Sequence, residues 1–182
     1  MKSILKGFIY VIFFIAMLVA FLPKENLYFL AIDKLKQNKI DLVQNNINSD
    51  LFSLQLDKLK IYYENIAVSD ISSIDLDLFL YQTNININKI VVDDSFKKFT
   101  PSKIDYININ HSILNPLHIT IDVKFKQGKA IGDIDLLNNK INLELKVSKR
   151  FKTEYRYLVK QLKYQKERST SKEEVYSFEY KY

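Results

Sequence analysis

A mainly β domain behind an N-terminal transmembrane helix is what this sequence predicts, as a bent antiparallel sheet of short strands with one C-terminal amphipathic helix. Three observations carry that reading. Residues 4–22 read ILKGFIYVIFFIAMLVAFL, nineteen residues interrupted only by Lys6. From Ile40 onward apolar residues recur in steps of two, broken by occasional steps of three. From Phe151 the spacing changes to that of a helix, with Phe151, Tyr155, Leu158, Val159 and Leu162 on one side.

The first segment, residues 1–23, is read as a membrane anchor. At about 1.5 Å per residue its apolar run is nearly 30 Å long, the thickness of a bilayer's hydrocarbon core, and Lys6 can snorkel to the headgroups. Signal-peptide cleavage needs small residues at the first and third positions before the cut, and Leu18 before Ala20 and Phe14 before Ala16 do not supply them. An uncleaved anchor follows. Lys2 and Lys6 favour a cytoplasmic N-terminus, although Lys24, Lys34 and Lys36 dilute that signal. Residues 24–39 then place Leu27, Leu30, Ala31 and Leu35 on one stripe of a short amphipathic linker helix.

Residues 40–182 form the β-rich domain. Its apolar positions include Leu54, Leu56, Leu59, Ile61, Ile71, Ile74, Leu76 and Leu78. Steps of two are half-buried strands, and each step of three is where a bulge or turn must return the apolar face to the core. Leu117, Ile119, Ile121, Val123 and Phe125 alternate with polar residues, as do Ile141, Leu143, Leu145 and Val147. A turn at Gln127 to Lys129, and another at Asn138 and Asn139, join these strands into hairpins. A helix over 151–164, a polar linker over 166–174 and a terminal strand over 175–182 complete the chain, with Tyr176, Phe178, Tyr180 and Tyr182 on one face.

Composition narrows the chemistry. With 47% hydrophobic and 26% charged residues the chain is globular material. The absence of cysteine excludes disulfides, Cys-based zinc sites and thiol nucleophiles. No Gly-rich phosphate loop, nucleophile elbow or H-E-x-x-H motif occurs, so the chain reads as no enzyme and as needing no cofactor. His111 and His118 flank an Asn-Pro and, with Asp105 or Asp122, could approach across a hairpin to hold a metal. Without a third placed ligand they are better read as a strand-end and a polar-face residue. Asp75 and Asp77 share a face about 7 Å apart, and that face is the solvent side opposite Ile74, Leu76 and Leu78.

The charge of +6 lies entirely in the last quarter, since residues 1–139 hold 15 basic and 15 acidic groups. Lys149, Arg150, Lys152, Arg156, Lys160 and Lys163 on the expected helix are candidate contacts for anionic headgroups or an acidic partner, against a plainly solvated helix face. Tyr176, Phe178 and Tyr180 mark a candidate edge strand for β-augmentation. A tethered, exported domain meets no nucleic acid.

The anchor, the short helix, the bent strands of LFSLQLDKLKIYYENIAVSDISSIDLDLFL and the hairpins carrying GKAIGDIDLLNNKINLELK together resemble the AsmA-like and type II secretion system protein N group of inner-membrane-anchored periplasmic β-domains. The resemblance covers most of residues 4–150. It implies a single-pass protein of the bacterial inner membrane with its C-terminal domain in the periplasm. It further implies a non-enzymatic accessory or scaffold of protein secretion, partnered by other envelope proteins. The chain also looks like the bridge component of lipopolysaccharide export, in which an apolar β-trough would carry lipid.

Overall fold

The computed structural model describes residues 2–170 and 173–182; Met1 of the expected anchor and Ser171 and Lys172 of the expected linker lie outside them. The apolar N-terminal run forms helix α1, Lys2–Ala20, and after Pro23 the chain enters α2, Lys24–Gln37. Glu25 in the first turn of α2 and Lys34 and Lys36 in its last complement the helix dipole. Among the described residues no single helix is long and apolar enough to cross a membrane. Ile9–Ala20 and Lys24–Gln37 together meet that length and composition, bent by 56°, as a broken span or a signal sequence does.

Among the described residues the remainder is built on one antiparallel sheet of eleven strands. These are β1 Ile40–Val43, β2 Asn46–Ser49, β3 Ser53–Tyr63, β4 Ile66–Leu78, β5 Gln82–Val92, β6 Lys103–Ser112, β7 Asn115–Phe125, β8 Gly128–Asp135, β9 Lys140–Ser148, β10 Lys163–Tyr164 and β11 Glu173–Lys181. Their order is β1-β3-β4-β5-β6-β7-β8-β9-β11-β10, with β2 beside β1 on the outer side of β3. From β3 to β9 the sheet is a plain meander, as short turns dictate. The strands are not short, however: β4 runs thirteen residues, and β3, β5 and β7 run eleven each.

The steps of three explain how such long strands keep one apolar face. Leu56/Leu59, Ile71/Ile74, Ile87/Ile90 and Ile104/Ile107 fall side by side in register across β3, β4, β5 and β6. At this line Lys58 and Lys89 take left-handed backbone angles of 51°, and the β6 register shifts between Ile104 and Tyr106. The line ends at β7, where Val123 and Phe125 answer it with a step of two. One fault line thus crosses four strands, and the apolar residues that flank it stay on one face of the sheet. The opposite face is polar: Asn108 donates to Asn86, and Asn110 donates to Asn84 at 2.6 Å.

Two helical covers protect opposite ends of the apolar face. Over β3, β4 and β5 lies α2, above a cluster of Leu54, Leu56, Leu59, Ile71, Ile90 and Val92. Over β8, β9 and β11 lies the segment after β9, which the spacing predicts as a helix over 151–164. It is broken there into α3, Lys149–Glu154, and α4, Arg156–Val159, because Tyr155 adopts φ −114° and ψ 51°. Phe151 and Tyr155, one helical turn apart, both face inward: Phe151 is 0% exposed, with ring centroids 5.6 Å from Phe125 and 4.7 Å from Tyr155. The chain then forms β10 rather than extending the helix.

Gly128 opens β8 instead of sitting in the turn, which is Lys126 and Gln127. A Cβ at Gly128 would lie 2.1 Å from the Lys146 carbonyl oxygen, so only glycine lets β9 pass this closely.

Candidate functional site

The apolar face is read most simply by its rows. Leu54, Leu76, Ile85, Ile109, Ile121, Gly132, Leu143 and Phe178 are paired in turn from β3 to β11. Leu54 is buried under α2, whereas Ile109, Ile121 and Leu143 are half-exposed and Phe178 is exposed. The covers therefore stop short of the middle and of one end of the face. Alternation made this face apolar on every strand, and the two helices are too short to close it.

Where α2 meets the sheet there is a cleft of about 410 Å³. Leu27, Ala31 and Leu35 line it from the helix, and Leu56, Ile74 and Leu78 are among the strand residues facing them. Tyr28 and Lys24 are also among its lining residues. The Tyr28 hydroxyl is buried, and it is the single buried side-chain polar atom among the described residues with no hydrogen-bond partner. Lys24, 4% exposed, stands at the start of the helix without a carboxylate partner among the ion pairs of the described residues. An unpaired hydroxyl in such surroundings costs of the order of 1–3 kcal/mol, a local cost that the packing of α2 on the sheet must offset. The helical stripe Leu27, Leu30, Ala31, Leu35 does not match this arrangement fully, because Leu30 is exposed and Ile32 is the buried residue. The neighbouring stripe of Tyr28, Ile32 and Leu35, at the same spacing, was the available signal.

The expected basic face is dispersed. Lys149, Arg150 and Lys152 lie on α3, Arg156 on α4, Lys160 just after it and Lys163 on β10, and all are exposed. With the helix broken they share no single helical face. Moreover, α3 leaves the sheet from the end of β9 at Ser148, whereas α2 starts from the other end of the sheet, beside Leu76, Leu78 and Ile85.

The expected edge strand is an edge only in its second half. On one side β11 pairs with β9 over its whole length, and on the other β10 covers Tyr176 and Ser177. Tyr176 is 2% exposed and donates its hydroxyl proton to Glu174 at 2.6 Å. Burial pushes its pKa well above the ordinary tyrosine range, and the Glu174 carboxylate adds to the shift. Phe178 and Tyr180, beyond the reach of β10, are exposed.

The histidines stand apart. His111 pairs with Ile119 on the apolar side, its Nε2 3.0 Å from the Pro116 carbonyl, while His118 on the polar face is 3.1 Å from the Asp133 carboxylate. No group of three or more His, Cys, Asp or Glu fit to hold a metal occurs among the described residues. Asp75 accepts from Asn88 at 3.0 Å and from Ser73 at 3.3 Å, within the polar ladder rather than as half of an acid–base pair.

The geometry is thus that of an apolar surface with a helix-capped cleft, open along its middle. No family model, no curated protein and no solved structure matches this chain.

Proposed function

We propose that the chain is a non-enzymatic, single-pass protein of the bacterial inner membrane whose periplasmic sheet binds the acyl part of an anionic lipid. The observation that carries this reading is the cleft between α2 and the sheet. Its volume of about 410 Å³ falls within the range of about 300–1,000 Å³ usual for small-molecule sites. A methylene occupies roughly the volume of a water molecule, about 30 Å³, which leaves room for about a dozen chain carbons.

Each buried methylene contributes about 0.8 kcal/mol, so the apolar walls supply affinity, while Lys24 at the start of α2 supplies the positive charge that suits an anionic headgroup. The open middle of the face offers a continuous path for a longer chain, which suits transfer better than permanent storage. A photo-reactive phenylalanine analogue in place of Leu78, in the full chain in its membrane, is expected to give a lipid adduct by mass spectrometry. Filling the cleft with Ala31→Phe should reduce that adduct, and its complete absence from Leu78 would refute the reading.

A second reading, an accessory or scaffold of protein secretion, is favoured by one feature: among the described residues the outer edge of β11 beyond Ser177 has no partner strand. An extended peptide could pair there. Removing residues 178–182 takes away that edge and leaves the cleft in place. Loss of secretion with the lipid adduct retained would favour the scaffold.

A further inference from the structure

The two ends of the sheet differ in chemistry. At one end lie the connections 50–52, 79–81, 113–114 and 136–139 and the terminal residue Tyr182, because the meander brings alternate turns to the same side. Every one of them exposes a large apolar or aromatic side chain: Leu51, Tyr81, Leu114 at 87%, Leu137 at 68%, and Tyr182. Their only charged side chain is Asp50. At the other end the connections 64–65, 93–102 and 126–127 hold Glu64, Asp93, Asp94, Lys97, Lys98 and Lys126. Turns in water favour polar residues, so five apolar tips at one end of the sheet point to a partner that removes them from water.

The course of the N-terminal helices identifies that partner. α2 finishes near Lys39, whose carbonyl accepts from the Glu64 amide at the charged end. It starts at Lys24, near Leu78 and Ile85 and therefore toward the apolar end. With a bend of only 56° between them, α1 approaches from beyond the apolar end, its own Ile12, Phe13 and Phe14 exposed. We infer that this end of the sheet docks on the bilayer in which α1 is embedded, with Leu51, Tyr81, Leu114, Leu137 and Tyr182 inserted among the headgroups. Interfacial anchors of this kind bury about 5–10 Å deep, and tyrosine is enriched at that depth. Lys181, exposed at the end of β11, is placed to meet anionic headgroups, whereas Lys140 beside it is paired with Glu179. In this pose the open rows of the apolar face start at the membrane surface, so an acyl chain can pass from bilayer to sheet without crossing water.

The inference rests on the reading of α1 as the anchor, and a test can separate the two. The chain has no tryptophan, so Ile12→Trp, Leu114→Trp, Leu137→Trp and Phe99→Trp each give a sole reporter at an exposed position. Each full-length variant would be reconstituted into vesicles of phosphatidylethanolamine and phosphatidylglycerol containing brominated phosphatidylcholine, with the bromines near the headgroup end of the acyl chains for the reporters at 99, 114 and 137 and near the chain ends for the reporter at 12, which an embedded α1 places at the bilayer midplane. The expected result is that the reporters at 12, 114 and 137 lose most of their emission and the one at 99, at the charged end, keeps it. If the reporter at 12 is quenched and those at 114 and 137 are not, the docking inference falls and the anchor stands. If the reporter at 12 is not quenched, the anchor reading falls and takes the docking inference with it. Equal quenching at 99 and 114 would also overturn the proposed orientation.

Discussion

Asp135 closes the β8–β9 connection with its carboxylate. It accepts from the Asn138 side chain at 2.7 Å and from the Asn138 and Leu137 amides at 3.0 Å. These bonds, that from the Asn138 side chain foremost, hold its pKa below the ordinary carboxylate range. A pKa depressed on folding gives stability that is present above the unfolded value, about 3.9 for aspartate, and is lost as pH falls through the folded value. Asp135→Asn should therefore lower the urea midpoint near neutrality, and the gap between variant and wild type should narrow as pH drops below about 4. A gap that is constant with pH would mean that the carboxylate's charge is not what holds the turn. The consequence reaches function through Leu137, which this turn presents at the apolar end of the sheet.

At the scale of elements, the fault line across β3 to β6 was legible as steps of three in each strand, because side-chain parity leaves no other way to keep Leu56 with Leu59 or Ile87 with Ile90 on one face. Strand length was not legible. The same steps of three that mark an in-strand irregularity also fit a chain break, and only the pairing of neighbours distinguishes them. The split of the C-terminal helix was hidden for a related reason: Phe151, Tyr155, Leu158 and Leu162 satisfy a helical period whether or not Tyr155 keeps helical angles. Nor could sequence place β11 inside the sheet, since its inner partner β9 lies across an excursion of more than twenty residues. For the candidate site, apolar faces were readable strand by strand, but the cleft requires the position of α2, which no residue pattern fixes.

The fault line makes a prediction that runs against ordinary strand preferences. Glycine weakens strands and valine strengthens them, yet Lys58 and Lys89 are exposed and lie at φ 51°, where a β-branched residue is strained. Lys89→Gly should leave the protein as stable or more stable, by up to about 1 kcal/mol, because glycine occupies positive φ at no steric cost. Lys89→Val should destabilise it. Denaturant midpoints of the two variants check this, and a valine variant more stable than the glycine one would remove the fault line as a feature of the folded sheet.

At the scale of the whole molecule, one sheet carries two cores. Phe125, Leu145, Val147, Phe151, Tyr155 and Tyr176 form one, and Leu54, Leu56, Leu59, Ile71, Ile90 and Val92 form the other, with Ile104 of β6 packed against both. Between them the face is only half-covered, at Ile107, Ile109, Ile121 and Val123, so the ends are coupled through strand hydrogen bonds and a few side chains such as Ile104 rather than a common fully buried interior. Stability need not be uniform in such an arrangement, since regions with separate buried contacts open separately. Phe151→Ala removes a fully buried ring and should cost about 3–5 kcal/mol in its own core. Amide exchange measured along the chain should then accelerate most in β9 and β11, less in β6 and β7, and least in β3 and β4. Uniform acceleration from β3 to β11 would instead mean that the sheet opens as one unit. A graded response would leave the α2 cleft intact while the distal cover loosens, so the lipid adduct expected at Leu78 should survive the loss of Phe151.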